Sequence, residues 1–322
     1  MRTMEEPSPA GSRYLDIASD RTCSCPSNHL NCMDPKEWLK AQIGVWRFYY
    51  GTRDIRDKSV HPAAFPISLA TRCISLFTHE GELVLDPFAG SGTTLVASAD
   101  LARNAVGFDL NPEYADLCNA RLNNSLDSQT PNGLAKSGGD SDGGSSRGVS
   151  RVSPPARQVA LCEDARNAPL YLRPGCVSLI LTSPPYANLL NRSRRNKSRR
   201  GGMRRNEQYG KVEQYSQDPR DLGTLGVDEY ATAIEDIFAG LLPLMRPRAH
   251  CVVNVPDMWW DNRRITLHIE VVSALRRAGY ELRNTIIWDR TNVVNRLGIF
   301  GWPSNFITMG VTFEYLLDFW RP

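Results

Sequence analysis

Val84-Leu85-Asp86-Pro87-Phe88-Ala89-Gly90-Ser91-Gly92-Thr93-Thr94 decides the fold. Leu83-Val84-Leu85 is an apolar run that reads as a buried strand. Gly90 and Gly92 supply the backbone freedom a tight turn needs and let main chain approach a ligand. Thr93 to Leu101 then reads as a short helix. Strand, glycine turn and helix form the opening unit of an open α/β sheet, in which ligands bind at the carboxyl ends of strands. The turn has no Lys where a phosphate loop requires Gly-Lys-Ser/Thr, and Gly90-Ser91-Gly92-Thr93-Thr94-Leu95 lacks the third glycine of a dinucleotide turn.

Outward from this stretch the pattern repeats. Ala105 to Phe108 predicts a second strand and Pro112 to Leu122 a helix, with proline in its first turn. Gln158 to Leu161, Val177 to Leu181 and Cys251 to Val255 predict further strands, with a long helix over Val227 to Met245. A helix over Ile265 to Arg277 and strands over Leu282 to Trp288 and Thr312 to Phe319 complete the set. Strands alternating with helices predict an α/β fold: a doubly wound, mostly parallel, seven-stranded sheet covered on both faces. The segment 125–156 is rich in Ser, Gly, Asp and Pro, too polar to offset its own ordering entropy, and reads as a flexible insertion within one domain. The expected organisation is a loosely ordered segment over 1–35 and a catalytic domain over 36–322.

The bulk numbers narrow the function. An apolar fraction of 41% supports a globular core, and a net charge of +3 rules out a polycation, so any nucleic-acid contact must be local. No apolar run reaches membrane-spanning length, and Met1 to Thr22 lacks a signal-type apolar core, so no membrane association and a cytoplasmic location are expected. Among the eight cysteines, Cys73, Cys118, Cys162, Cys176 and Cys251 stand singly beside apolar residues. Cys23, Cys25 and Cys32, with His29 between, are closer together but lack paired C-x2-C spacing, so free thiols and no metal are the expectation.

Chemistry concentrates at predicted strand ends. Asp109 ends the second strand, where an acid can accept bonds from two ribose hydroxyls. Asp164 follows the third strand and could accept from an adenine amino group, or be an exposed loop acid. Ser183-Pro184-Pro185-Tyr186 follows the fourth. An exocyclic amino nitrogen on a base is a poor nucleophile because its lone pair is delocalised into the ring. The Ser183 hydroxyl and the carbonyl after it can hold both N–H groups and draw the nitrogen toward tetrahedral geometry. Two prolines stiffen that loop, and Tyr186 can stack on a base extruded from a duplex.

Together these motifs resemble the amino-methyltransferases of DNA, the N4-cytosine and N6-adenine enzymes of restriction-modification type. The stretch Asp86, Pro87, Phe88, Gly90, Ser91, Gly92 and Thr93 resembles the family's S-adenosylmethionine motif, and Ser183 to Tyr186 its catalytic tetrapeptide. A leading Ser is more typical of the N4-cytosine enzymes. His61-Pro62-Ala63-Ala64-Phe65-Pro66 resembles the segment over the methionine end of the cofactor. The resemblance implies S-adenosylmethionine as cofactor, with His61, Pro62, Phe65, Asp109 and Asp164 among its contacts. It also implies double-stranded DNA as substrate and a cognate restriction endonuclease as partner. The cofactor motif precedes the tetrapeptide here, so the family's commoner order is permuted.

The candidate substrate loop spans 187–226. Arg192, Arg194, Arg195, Lys197, Arg199, Arg200, Arg204 and Arg205 place eight cations within fourteen residues. They read either as a solvated basic tract or, given the tetrapeptide beside them, as a grip on DNA phosphates and guanines. Trp46 to Tyr50, Trp259 to Asn262 and Trp288 to Asn292 are further candidates, which core packing explains equally well. N6-adenine methylation, an RNA substrate and a catalytically dead binding module stay open beside N4-cytosine methylation.

Overall fold

The computed structural model describes residues 14–55, 64–127, 155–190, 218–260, 263–292, 301–302, 306–307 and 310–322. Strand β2 (Leu83–Asp86) is buried along its whole length, and its side chains alternate between two cores. Leu83 and Leu85 pack with one cluster, and Val84 with the other. That period of two makes a sheet covered on both faces. Around β2 the chain runs through α1 (Pro35–Ala41), β1 (Val45–Arg47) and α2 (Ile67–Phe77) before it, then α3 (Thr93–Asp100), β3 (Asn104–Asp109), α4 (Pro112–Asp127) and β4 (Gln158–Cys162). Next come α5 (Ala168–Tyr171), β5 (Val177–Thr182), α6 (Val227–Leu241) and β6 (Met245–Val255). The hairpin β7 (Met258–Trp260) and β8 (Arg263–Ile265), α7 (Leu267–Arg277) and β9 (Glu281–Asp289) follow. The short pair β10 (Gly301–Trp302) and β11 (Phe306–Ile307) precedes β12 (Phe313–Trp320).

The main sheet has eight strands in the order β1-β9-β12-β6-β5-β2-β3-β4. The seven strands expected from sequence are all in it, and the eighth is β1, three residues pairing in parallel with β9 at the edge. Strand β12 is antiparallel to both its neighbours, β6 and β9; the other pairings are parallel. From β2 the chain winds one way through β3 to β4, then crosses back to β5 on the other side of β2. The switch point therefore lies between β2 and β5, where an open α/β sheet leaves a crevice at its carboxyl edge.

Helices α6 and α7 cover the face of Leu83, Leu85 and Phe108, whereas α2 and α3 cover that of Val84, Ala105 and Leu179. Gly107, within β3, is needed for this packing: a Cβ there would lie 2.7 Å from the Ala89 Cβ and 3.0 Å from a Leu95 methyl. Of the segment 1–35, residues 14–35 are described and bonded to the domain, with Leu15 N–H on the Tyr171 carbonyl at 2.9 Å and Thr22 N–H on that of Glu80 at 2.8 Å. Most of the expected insertion, 128–154, lies outside the described residues. Among the described residues no helix is long and apolar enough to cross a membrane.

Candidate active site

The turn after β2 is held by its own backbone. Gly90 and Gly92 adopt φ of +50° and +80°, which only glycine takes without strain. A Cβ on Gly92 would also sit 2.1 Å from the Cys118 sulfur of α4. Ala89 N–H donates to the Phe108 carbonyl at 2.9 Å, and Gly90 N–H to the Asp109 carboxylate at 2.8 Å. The turn thus lies across the end of β3.

Asp109 accepts from Asn111 N–H through its other oxygen at 2.9 Å. Burial pushes its carboxyl up to about 6, against these bonds, with Asp86 and Asp221 adding to the rise. Asp86 lies deeper, 2% exposed, and joins the two motifs. Its Oδ1 accepts the Thr182 hydroxyl at 2.6 Å and Phe88 N–H at 3.1 Å. Burial raises it too, to about 6, over the opposing bonds from Thr182, Thr94 and Phe88. The last residue of β5 is thereby fastened to the first turn after β2, one residue before Ser183.

The tetrapeptide leaves β5 in a fixed form. The Ser183 and Tyr186 hydroxyls are 3.0 Å apart and hydrogen-bonded. The Tyr186 ring is 6% exposed and packs in the core, which leaves little of its face for stacking on a base in this conformation. Its burial pushes the phenol up to about 12, with the Ser183 bond and the nearby Arg290 charge acting the other way. Ala187 follows in the left-handed region at φ +49°, a strained position for a residue with a Cβ, and Asn188 N–H bonds the Leu225 carbonyl at 3.0 Å.

Between these parts lies a cleft of about 620 Å³. Pro87, Phe88, Gly90, Asp109, Asp164, Ser183 and Pro185 line it, so the fold gathers expected site residues from four strand ends. Tyr114, Glu163, Arg166, Arg220 and Leu222 line it as well and were not anticipated. Glu163 carried a signal, since it sits directly beside Asp164 after a predicted strand. Arg220 carried none, because it approaches Asp164 from a distant stretch of the chain, whereas Arg166 lies two residues from Asp164 and reaches it locally. Asp164 is 5% exposed and caps the turn 165–167. Its Oδ1 accepts Arg166 N–H at 2.9 Å, and the Arg166 guanidinium lies 2.9 Å from its Oδ2, with Arg220 at 3.8 Å. An adenine amino group would share this carboxylate with two cations.

Ser91 and Thr93 are buried beneath the turn, and Phe65 packs in the core on the α2 and α3 side. His61 and Pro62 lie outside the described residues, as do all eight cations from Arg192 to Arg205. Within the aromatic run, Trp46 and Phe48 pack edge to face in the core with centroids 6.0 Å apart, while Tyr49 is exposed. Beyond β9, Arg290 pairs with the buried Glu314, which also accepts from the Asn254 amide at 2.7 Å. Arg290 belongs to the candidate stretch Trp288 to Asn292, whereas its partners Glu314 and Asn254 were not anticipated, because β6, β9 and β12 bring them together only in the folded sheet.

The geometry stands beside three sets of likenesses. The family N6_N4_Mtase, DNA methylase, matches residues 19–120, a stretch that takes in the glycine turn and Asp109 and stops short of Ser183. The chain is 39% identical over 93 residues to the type II methyltransferase M.BglI of Bacillus subtilis, covering 29% of this chain and 26% of that one. It is 40% identical over 93 residues to M.SmaI of Serratia marcescens, covering 28% and 29%, and 49% identical over 66 residues to M.HindIII of Haemophilus influenzae, covering 20% and 21%. The chain therefore spans well under half the length of these relatives. Among solved structures, TrmN from Thermus thermophilus aligns at a TM-score of 0.45 and 16% identity, covering 82% of this chain and 52% of that one. A TehB-like SAM-dependent methyltransferase from Corynebacterium glutamicum aligns at 0.39 and 13%, covering 79% and 87%.

Proposed function

We propose that this chain, of the DNA amino-methyltransferase family through residues 19–120, transfers a methyl group from S-adenosylmethionine to the exocyclic N4 of cytosine in DNA. The observation that carries this reading is that Ser183 and Pro185 open onto the same cleft as Gly90 and Asp109, across the switch point of the sheet. When bound, S-adenosylmethionine supplies an activated methyl on a sulfonium. The residues present fit it: the glycine turn makes room for main-chain approach, Asp109 offers a carboxylate for ribose hydroxyls, and Phe88 and Leu222 offer apolar surface for the adenine. The Ser183 hydroxyl and the carbonyl that follows it accept from the target amino group and localise its lone pair. Pro184 and Pro185 hold those acceptors still, so catalysis is orientation and preorganised polarity, with no covalent intermediate. The Tyr186 bond then has a purpose, since it fixes the Ser183 hydroxyl before the base arrives.

The leading Ser favours cytosine over adenine, and the DNA methylase family model that matches residues 19–120 supports DNA over RNA. The test is expression in a methylation-free strain, digestion of host DNA to nucleosides and mass spectrometry. N4-methylcytosine is expected. N6-methyladenine would overturn the base and keep the site roles, whereas neither product, with label entering RNA instead, would overturn DNA as the substrate.

A further inference from the structure

Far from the cleft, at the amino-terminal edge of the sheet, Cys23, Cys25, Cys32 and His79 bring one donor atom each to within 4.8 Å of one another. The Cys23 sulfur lies 3.2 Å from His79 Nδ1, Cys25 lies 3.5 Å from Cys32, and Cys32 lies 3.8 Å from His79 Nδ1. Tetrahedral zinc, with bonds of about 2.3 Å to sulfur and about 2.1 Å to nitrogen, sets its ligands about 3.5 to 3.8 Å apart. We propose that these four side chains form a structural zinc site that clamps the amino-terminal segment to the methyltransferase domain.

Three further observations support it. First, the donor set is soft and complete: three thiolates and an imidazole fill a zinc ion's four positions and leave none open for substrate. Their mutual approach admits a single ion rather than a cluster. Second, the surroundings are those of ligands. Glu80 N–H points at the Cys32 sulfur at 3.3 Å, a backbone donor that tempers the negative charge of a bound thiolate. Third, the segment has little apolar core of its own. Fixing a backbone costs about 1–2 kcal/mol per residue, yet between Arg21 and Met33 the large apolar side chains are Leu30, 40% exposed, and Met33. The segment nonetheless has a defined course. Leu30 pairs with Met33, Asn31 takes φ +52° and bonds the Leu76 carbonyl, and Gly81 leaves room for Thr22, whose methyl would lie 2.6 Å from a Cβ there. Metal binding supplies the folding free energy that so small a core cannot.

The histidine is not the one the sequence suggested. His29 sits among the three cysteines in the chain, yet it is His79, after α2 and 47 residues beyond Cys32, that completes the group. No linear spacing announces such a site.

Elemental analysis of the untagged full chain, purified without chelator from zinc-supplied cells, should show one zinc per chain. Mercurial titration of the thiols should release that zinc in step, followed by a metallochromic dye. Cys25→Ser and His79→Ala should lose it. Because such variants can fail to fold, the wild-type protein carries a second test: cobalt exchanged into it should give the visible d–d bands of a tetrahedral thiolate site. A strong chelator should lower the melting temperature without changing affinity for S-adenosylmethionine, since the two sites lie at opposite edges of the sheet. Folded wild-type protein free of zinc after supplementation would overturn the assignment. So would iron in its place, or a Cys25–Cys32 disulfide in the non-reduced mass spectrum.

Discussion

At the scale of single residues the site divides into holding and reacting groups. On the proposed function, Ser183→Ala removes an acceptor for the target amino group and leaves the glycine turn intact. Turnover should fall about 10²-fold, as for loss of one preorganised polar contact, while calorimetric affinity for S-adenosylmethionine stays unchanged. Asp109→Ala should do the reverse, weakening cofactor binding first. Equal loss of cofactor binding in both variants would contradict this division. Asp86 gives a pH signature. Its carboxyl is raised from 3.8 to about 6, so between those values the folded state binds more protons than the unfolded one, and stability falls as pH rises through the window. Asp86→Asn keeps an acceptor for Thr182 and Phe88 and removes the buried charge. Its stability should therefore gain on wild type as pH climbs from about 4 to beyond 6, by no more than about 3 kcal/mol for a shift of this size, read as a rising difference in melting temperature. Parallel pH profiles would refute the burial argument. Asp109, Asp164 and Ser183 were legible in the sequence because each follows a strand, and the ends of parallel strands meet. Arg220 and Glu314 were not, because contacts distant in sequence bring them to the site.

At the scale of elements, the glycine turn and α3 stand or fall together. Gly92→Ala adds a methyl where φ is +80° and the Cys118 sulfur would be 2.1 Å away. The left-handed backbone alone costs about 1–2 kcal/mol, and the clash adds to it. Thermal unfolding should show a clear loss of stability together with loss of cofactor binding, and Cys118→Ala in the same chain should restore part of the first. An unchanged melting temperature would mean that the turn is looser than described. All seven predicted strands formed, since short apolar runs between turns permit few other fates. Strand β1 escaped notice because it has three residues and a burial pattern fixed only by its partner β9. Helix α2 was missed for another reason: its Ser, Thr and β-branched residues are weak helix formers, and the burial of Leu69, Ala70, Cys73 and Ile74 decides its state.

At the scale of the whole molecule, the two unusual segments join the fold at opposite edges. Residues 128–154 link the end of α4 to the start of β4, at the edge away from the cleft, whereas 191–217 depart just beyond the tetrapeptide. Replacing 128–154 by a short Gly-Ser linker should leave both cofactor affinity and methyl transfer unchanged, because loop length costs little. The same replacement of 191–217 should keep cofactor binding and abolish transfer to DNA, read by filter binding and labelled methyl incorporation. Loss of cofactor binding in the second variant would place that segment in the cofactor cleft instead. The sheet order also has a consequence for synthesis. Strand β12 lies between β6 and β9, so every element from β2 to α7 leaves the ribosome before the strand that will separate them from β9 and β1. Until Phe313–Trp320 emerges, β6 presents an open edge. The nascent chain can thus shape its cofactor turn early, while its unfinished edge is exposed to passing strands and to chaperones.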